Sequence, residues 1–131
     1  MRFITCCLAL VGAMTMTPAV AQNADIGKQL YGQYCASCHG EGGSGDGPMA
    51  EYLTVKPSDL TGLAAANDGK YPMLDVIHII DGRTGVRAHG GPMPVFGEVF
   101  TEGSGTGSYA DVLATRGRVL SLATYIESLQ P

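Results

Sequence analysis

The sequence predicts an all-α domain in which long loops join the helices. Apolar residues recur at helical spacing in three segments, at about 25–34, 73–80 and 117–129, and no segment shows the alternation that a strand requires. Between these segments the chain is rich in Gly and Pro, above all from Gly40 to Gly47 and from Arg83 to Gly97. Loops this long are unusual in a small domain, so we expect them to wrap around a cofactor.

The N-terminal half of the predicted domain contains one regular helix and two shorter elements. Ile26, Leu30 and Tyr34 recur at four-residue spacing, which predicts the first helix from Asp25 to Tyr34. Proline suits the first turn of a helix, so a short helix is expected from Pro48 to Leu53. A turn is expected at Lys56–Asp59.

The C-terminal half is predicted to contain two helices. The segment 73–80 has the i, i+3, i+4, i+7 pattern at Met73, Val76, Ile77 and Ile80, and Gly82 ends it. In the last helix the apolar stripe consists of Val119, Leu122, Ala123 and Ile126. The segment 101–108 is rich in Gly and Ser and is predicted to be a flexible surface loop.

The N-terminus has the features of a secretory signal peptide. Arg2 precedes an apolar run from Phe3 to Met14, and Ala19-Val20-Ala21 supplies small residues two apart. The apolar run is too short for a membrane-spanning helix, which needs about 20 apolar residues. We therefore predict cleavage at the end of the Ala triplet, with a signal peptide at 1–21 and a single domain at 22–131.

The most specific motif is Cys35-Ala36-Ser37-Cys38-His39, because C-x-x-C-H is the sequence that covalent haem attachment requires. We expect one haem c, held by thioethers from Cys35 and Cys38, with His39 as an axial ligand of the iron. A thiol–disulfide site is the alternative use of C-x-x-C, but the preceding segment is predicted to be a helix rather than a strand. A zinc site would need four ligands, and only two Cys remain after processing.

The sixth ligand of the iron decides what such a haem does. A strong protein ligand favours electron transfer, whereas an open position favours ligand binding or catalysis. Met93 is the leading candidate, because Pro92 and Pro94 stiffen the loop that presents its thioether. His89 is the main alternative. The remaining candidates are interpreted as packing or surface residues: Met49, Met73 and His78.

These residues resemble the class I c-type cytochromes, which are small monohaem electron carriers, over essentially the whole of 22–131. Besides the haem motif and the loop around Met93, the resemblance rests on four positions at which the first and last helices of that family cross: Gly27, Tyr31, Leu122 and Tyr125. The resemblance implies a cytochrome c-like fold with crossed N- and C-terminal helices and loops wrapped around one covalently bound haem.

The resemblance also implies contacts around the haem. The family has a proline whose carbonyl accepts the ring proton of the axial His, and Pro48 is the best match here. Arg87 and Phe96 are further expected haem contacts. The sequence contains no Trp, so the partner of the haem propionates stays open among Tyr52, Tyr71, Arg83, Arg87 and His89.

The expected function is one-electron transfer in the periplasm, with no enzymatic activity and no membrane insertion after cleavage. The formal net charge is −4, and −5 once Arg2 is removed. This charge disfavours nucleic acid and favours transient docking to basic patches on other redox proteins. Two alternatives stay open: a five-coordinate c-haem that senses or transforms a small ligand, and a haem subunit of a dehydrogenase or oxidase complex.

Overall fold

A computed structural model describes residues 19–85, 91–102 and 107–131, and in these ranges the protein has five α-helices and no strand. The helices are α1 (Ala19–Tyr34), α2 (Ala36–His39), α3 (Met73–Asp81), α4 (Phe96–Glu102) and α5 (Tyr109–Ser128), with 3₁₀ turns at Ala50–Tyr52 and Ala65–Asn67. The predicted all-α fold is confirmed. Within the described ranges, every helix is too short or too polar to cross a membrane.

The first and last helices cross at a point where their backbones touch. A Cβ placed on Gly27 would collide with the carbonyl oxygen of Ser121 and would lie 2.8 Å from the Cβ of Tyr125. Tyr31 and Leu122 are buried beside this point, with 2% and 0% of their surface exposed. The rings of Tyr31 and Tyr125 pack with their centroids 5.2 Å apart. The structure therefore forms the helix crossing that the resemblance implies.

Tyr31 connects this crossing to the end of α2. Its hydroxyl donates a 2.7 Å hydrogen bond to the carbonyl oxygen of Gly40, the residue that follows His39. Burial raises the pKa of Tyr31 above its ordinary value, so the phenol stays neutral and remains a donor. The crossed helices and the end of the C-x-x-C-H motif are thus held together by one buried side chain.

Helix α3 agrees with the prediction in type and position, whereas the short helix expected from Pro48 to Leu53 is present only as a 3₁₀ turn. Helix α3 begins at Met73 and ends at Asp81, where Gly82 adopts a left-handed backbone with φ of 67°. Pro48 precedes a short 3₁₀ turn at Ala50–Tyr52. Both predictions came from local signals. For α3 the signal was an apolar stripe that ends at a glycine, and for the short element it was a proline suited to the first turn.

The other helices begin earlier than predicted or were not predicted. Helix α1 begins at Ala19 and α5 begins at Tyr109. The early start of α5 has a clear cause: the side chain of Ser108 accepts a bond from the Asp111 amide, and the Asp111 carboxylate accepts one from the Ser108 amide. This capping box satisfies amide groups that would otherwise lack partners. Helix α4 replaces part of the irregular region expected around residue 97.

We predict that Gly27→Ala destabilises the protein by about 2 kcal/mol or more, because the added methyl must separate α1 from α5. Gly32→Ala is the matched control, since a Cβ on Gly32 in the same helix meets nothing within 4 Å. The control should be neutral or stabilising by up to about 1 kcal/mol, as Ala is the better helix former. Denaturant unfolding followed by circular dichroism measures both effects. Equal free energies of unfolding for the two variants would contradict the close approach.

Candidate haem-binding site

A largely apolar cavity of about 250 Å³ is lined by side chains from all five helices. Its aliphatic wall includes Leu53, Leu60, Leu63, Val76, Ile80 and Ile126. The predicted site residues that also line it are Cys35, Cys38, His39, Met93 and Phe96. Residues far apart in the sequence therefore converge on one apolar space, which is the environment that a porphyrin needs.

The glycine-rich loop supports the C-x-x-C-H motif from behind. The amides of Gly45, Gly47 and Met49 donate to the carbonyl oxygens of His39, Cys38 and Ser37 at 2.8, 3.2 and 2.9 Å, in that order. Glycines 40–47 belong to the loops that are expected to wrap around the cofactor. None of them lines the cavity, because the loop instead satisfies the carbonyl groups at the end of α2.

The ring of His39 is oriented by a backbone carbonyl. Its Nδ1 lies 3.0 Å from the carbonyl oxygen of Ser58, and since a carbonyl only accepts, Nδ1 carries the proton. The lone pair of Nε2 is then available to a metal ion. A carbonyl acceptor of this kind fixes the ring and strengthens its donation to the metal.

The acceptor from His39 differs from the predicted one. Pro48 was expected to provide the carbonyl, but it is exposed and lies beside Ser37 and Gly47 around a second, shallower pocket. The acceptor is instead the carbonyl of Ser58, which lies in the irregular segment 56–59, where the structure does not form the predicted turn. Sequence reasoning missed Ser58 because the functional atom belongs to the backbone.

The two cysteines do not have the properties of a reactive dithiol. Both are partly buried, and neither forms a disulfide. Burial, with a smaller contribution from Cys38, raises the pKa of Cys35 to about 12. Thiol–disulfide enzymes instead lower the pKa of the attacking Cys to ~3.5–7.5, so this environment argues against the thiol–disulfide alternative.

Met93 reaches the same cavity as His39, together with Pro92 and Pro94. The side chain of Met93 is partly buried and packs against the core. The other described candidates for the sixth ligand do not line the cavity: Met49, Met73 and His78. His89 and Arg87 lie outside the described residues.

Phe96 forms part of an aromatic cluster at the cavity wall. It is 6% exposed, and its ring centroid lies 6.2 Å from that of Tyr34 and 5.7 Å from that of Phe100. Tyr34 also lines the cavity. The cluster fastens the start of α4 to the end of α1, so it fixes the wall next to the segment that carries Met93.

The predicted propionate partners that the structure describes are placed elsewhere. Tyr52 is 74% exposed, the hydroxyl of Tyr71 donates to the carbonyl of Ala123 at 2.8 Å, and Arg83 pairs with Asp81. None of the three predicted partners lines the cavity. Lys56 does line it, although no sequence pattern indicates that this Lys lies near the haem motif.

The donor set fits a covalently bound haem. The cavity presents two thiols, an imidazole whose Nε2 is free to coordinate, and a thioether, all set in an apolar wall. Thiols can bond to the porphyrin, and the imidazole and thioether are both known axial ligands of haem iron.

We predict that replacing both Cys35 and Cys38 with Ser abolishes covalent haem attachment, because no other side chain at the cavity can form a thioether. Denaturing electrophoresis with haem staining, together with intact mass measurement, checks this outcome. Single replacements should leave one thioether and retain haem under denaturing conditions. Haem retained by the double variant would disprove attachment through these sulfur atoms.

A comparison with protein families agrees with the geometry. The family model described as cytochrome c oxidase, cbb3-type, subunit III matches residues 22–104, more than half of the chain. This range contains the C-x-x-C-H motif and Met93, whereas α5 lies beyond it. No curated protein and no solved structure was found to match the chain. The chain belongs to the cbb3-type cytochrome c oxidase subunit III family, a family of c-type cytochromes, and its cofactor is covalently bound haem c.

Proposed function

We propose that the protein is a periplasmic one-electron carrier whose single haem c is coordinated by His39 and Met93. The observation that carries the proposal is the meeting of two potential axial ligands at one apolar cavity. Haem, when bound, supplies a reversible one-electron couple. The side chains tether it, hold its iron ligands and keep water from the ring.

The identity of the ligands favours electron transfer over catalysis. A thioether is a soft ligand that favours Fe(II), so it raises the reduction potential. With both axial positions filled by the protein, a change of oxidation state requires no gain or loss of a ligand. Among the described side chains at the cavity, His39 supplies the only imidazole, and its ring is committed to Ser58 and to the iron. We therefore propose no enzymatic role.

The periplasmic location is supported by the signal-peptide pattern at residues 1–21. The family match begins at Gln22, the first residue after the predicted cleavage position. Export would also bring the chain to the compartment in which bacteria attach haem c. Mass measurement of the protein from a periplasmic extract tests this location, and a mature chain that still carries Phe3–Met14 would contradict it.

Membership of an oxidase subunit family favours one specific alternative. The chain could serve as the haem subunit of a larger complex rather than as a free carrier, and the family description supports this possibility. Gel filtration of the native protein, extracted with and without mild detergent, separates the two cases. A free carrier elutes at the size of one small domain, whereas a subunit co-elutes with other redox proteins.

We predict that Met93→Ala eliminates the methionine-to-iron charge-transfer absorption of the oxidised protein and lowers its reduction potential. Loss of the thioether removes the ligand that favours Fe(II). Met73→Leu is the matched control, because Met73 packs against the core but does not line the cavity. Optical spectra and a redox titration of both variants check the prediction.

The same variant distinguishes the carrier from a five-coordinate sensor or enzyme. Carbon monoxide should bind the reduced wild-type protein slowly and the reduced Met93→Ala protein rapidly, since only the variant has an open position on the iron. Equally rapid binding to both proteins, with unchanged spectra, would disprove coordination by Met93.

A further inference from the structure

We propose that Arg83 is a positioning residue for Met93. The pair that Arg83 forms with Asp81, which we call the base, contacts the end of α3 before Met93 and the start of α4 after it. The proposal depends on the axial role of Met93 proposed above. It concerns a polar cluster outside the cavity, composed of Asp81, Arg83, Gly97, Thr101 and Thr115.

Met93 stands between two prolines in the described part of its segment, residues 91–95. Pro92 and Pro94 stiffen it but have no amide hydrogen to donate. Helix α3 ends before the segment at Asp81, and α4 begins after it at Phe96. The location of the thioether therefore depends on how the end of α3 and the start of α4 are held.

Arg83 binds Asp81, the last residue of α3, through two hydrogen bonds. Its Nε donates to Asp81 Oδ1 at 2.8 Å, and its Nη2 donates to Asp81 Oδ2 at 2.7 Å. The Arg83 guanidinium also holds the pKa of the Asp81 carboxyl below its ordinary value. Such a fork has a defined geometry that a single ammonium group cannot reproduce.

The start of α4 lies directly on this pair. A Cβ on Gly97 would collide with Arg83 Nε and would lie 2.6 Å from the carbonyl oxygen of Asp81. One residue before α4, Val95 packs against Gly82, where an added Cβ would lie 3.3 Å from Val95 Cγ1. The chain on the two sides of the Met93 segment is therefore in contact at two places. Gly97 packs on Arg83 and Asp81, and Val95 packs directly on Gly82.

A pair of Thr hydroxyl groups joins this base to α5. Thr101 Oγ1 donates to the carbonyl oxygen of Gly97 at 2.6 Å and lies 3.3 Å from the hydroxyl of Thr115. Thr115 is fully buried on α5, and Arg83 Nη1 reaches Thr101 Oγ1 at 3.5 Å. The base is thus tied to the same helix that crosses α1, which gives the thioether a fixed position relative to His39.

The test uses the oxidised holoprotein, in which the bond from a soft thioether to iron is weakest. Imidazole competes with Met93 for the iron, so its apparent affinity rises with the fraction of molecules in which the thioether has left. We expect Arg83→Ala to bind imidazole about tenfold more tightly than wild type, in proportion to that fraction, and to lose intensity in the charge-transfer band. Haem content should not change.

Two further variants test the geometry of the base. Arg83→Lys keeps the charge but not the two-point geometry of the guanidinium, so its imidazole affinity should lie between that of Arg83→Ala and that of wild type. Gly97→Ala keeps both charges but pushes α4 from the pair, so it should behave like Arg83→Ala. Full rescue by Lys would show that charge alone acts and would overturn the proposed geometry.

Arg118→Ala is the control for general loosening of α4. Arg118 also bonds this helix, through the carbonyl of Phe100 at 2.9 Å, but at the end away from Met93. It should lower the unfolding midpoint while leaving imidazole affinity within about twofold of wild type, because the population of the open state is unaffected. Wild-type affinity and full band intensity in Arg83→Ala would overturn the inference.

The Met93→Ala protein separates this inference from the function on which it rests. If Met93→Ala keeps the charge-transfer band, coordination by Met93 is wrong and the role of Arg83 falls with it. If Met93→Ala loses the band and Arg83→Ala keeps it, the carrier stands and only the positioning role is overturned.

Discussion

The backbone contact between α1 and α5 at Gly27 is the constraint on which the rest of the structure depends. Because no side chain separates the helices there, Tyr31 and Leu122 can be buried against each other's helices. Tyr31 then reaches the carbonyl of Gly40, immediately after the haem motif. A contact between the two most distant helices in the sequence therefore determines where the C-terminal end of α2, and with it His39, is held.

The polar groups of the site are supplied mainly by the backbone. Carbonyl groups accept from Tyr31 and from His39, and the amides of the glycine-rich loop satisfy the end of α2. Most of the described side chains at the cavity are consequently apolar, and the polar or sulfhydryl ones are those of Tyr34, Cys35, Cys38, His39, Lys56 and Ser58. This division of roles gives a largely apolar cavity in which the carbonyl of Ser58 still fixes the tautomer of the imidazole.

The sequence was sufficient where side-chain chemistry or apolar periodicity carries the information. Cys35, Cys38, His39 and Met93 were chosen for their chemistry, and the structure brings all four to one cavity. Helix α3 was identified by its stripe and its glycine end. Ser58 could not be found in the same way, because any residue at that position has a carbonyl. Choosing Pro48 in its place relied on the family pattern, whereas the fold brings the carbonyl of Ser58, ten residues later, to His39. Helix α4 was missed because Gly97 near its start, which the Asp81–Arg83 pair requires to be small, reads as a loop residue.

The cavity has a consequence for the chain before it acquires its cofactor. Many of the side chains that line the cavity are aliphatic, and bound haem would remove them from water. In a domain this small, which can build only a modest core, a cofactor held by the folded chain adds to its stability. The chain without haem is therefore expected to be less stable and more open to proteases. The cellular amount of this protein should then follow the supply of haem as closely as it follows the synthesis of the polypeptide.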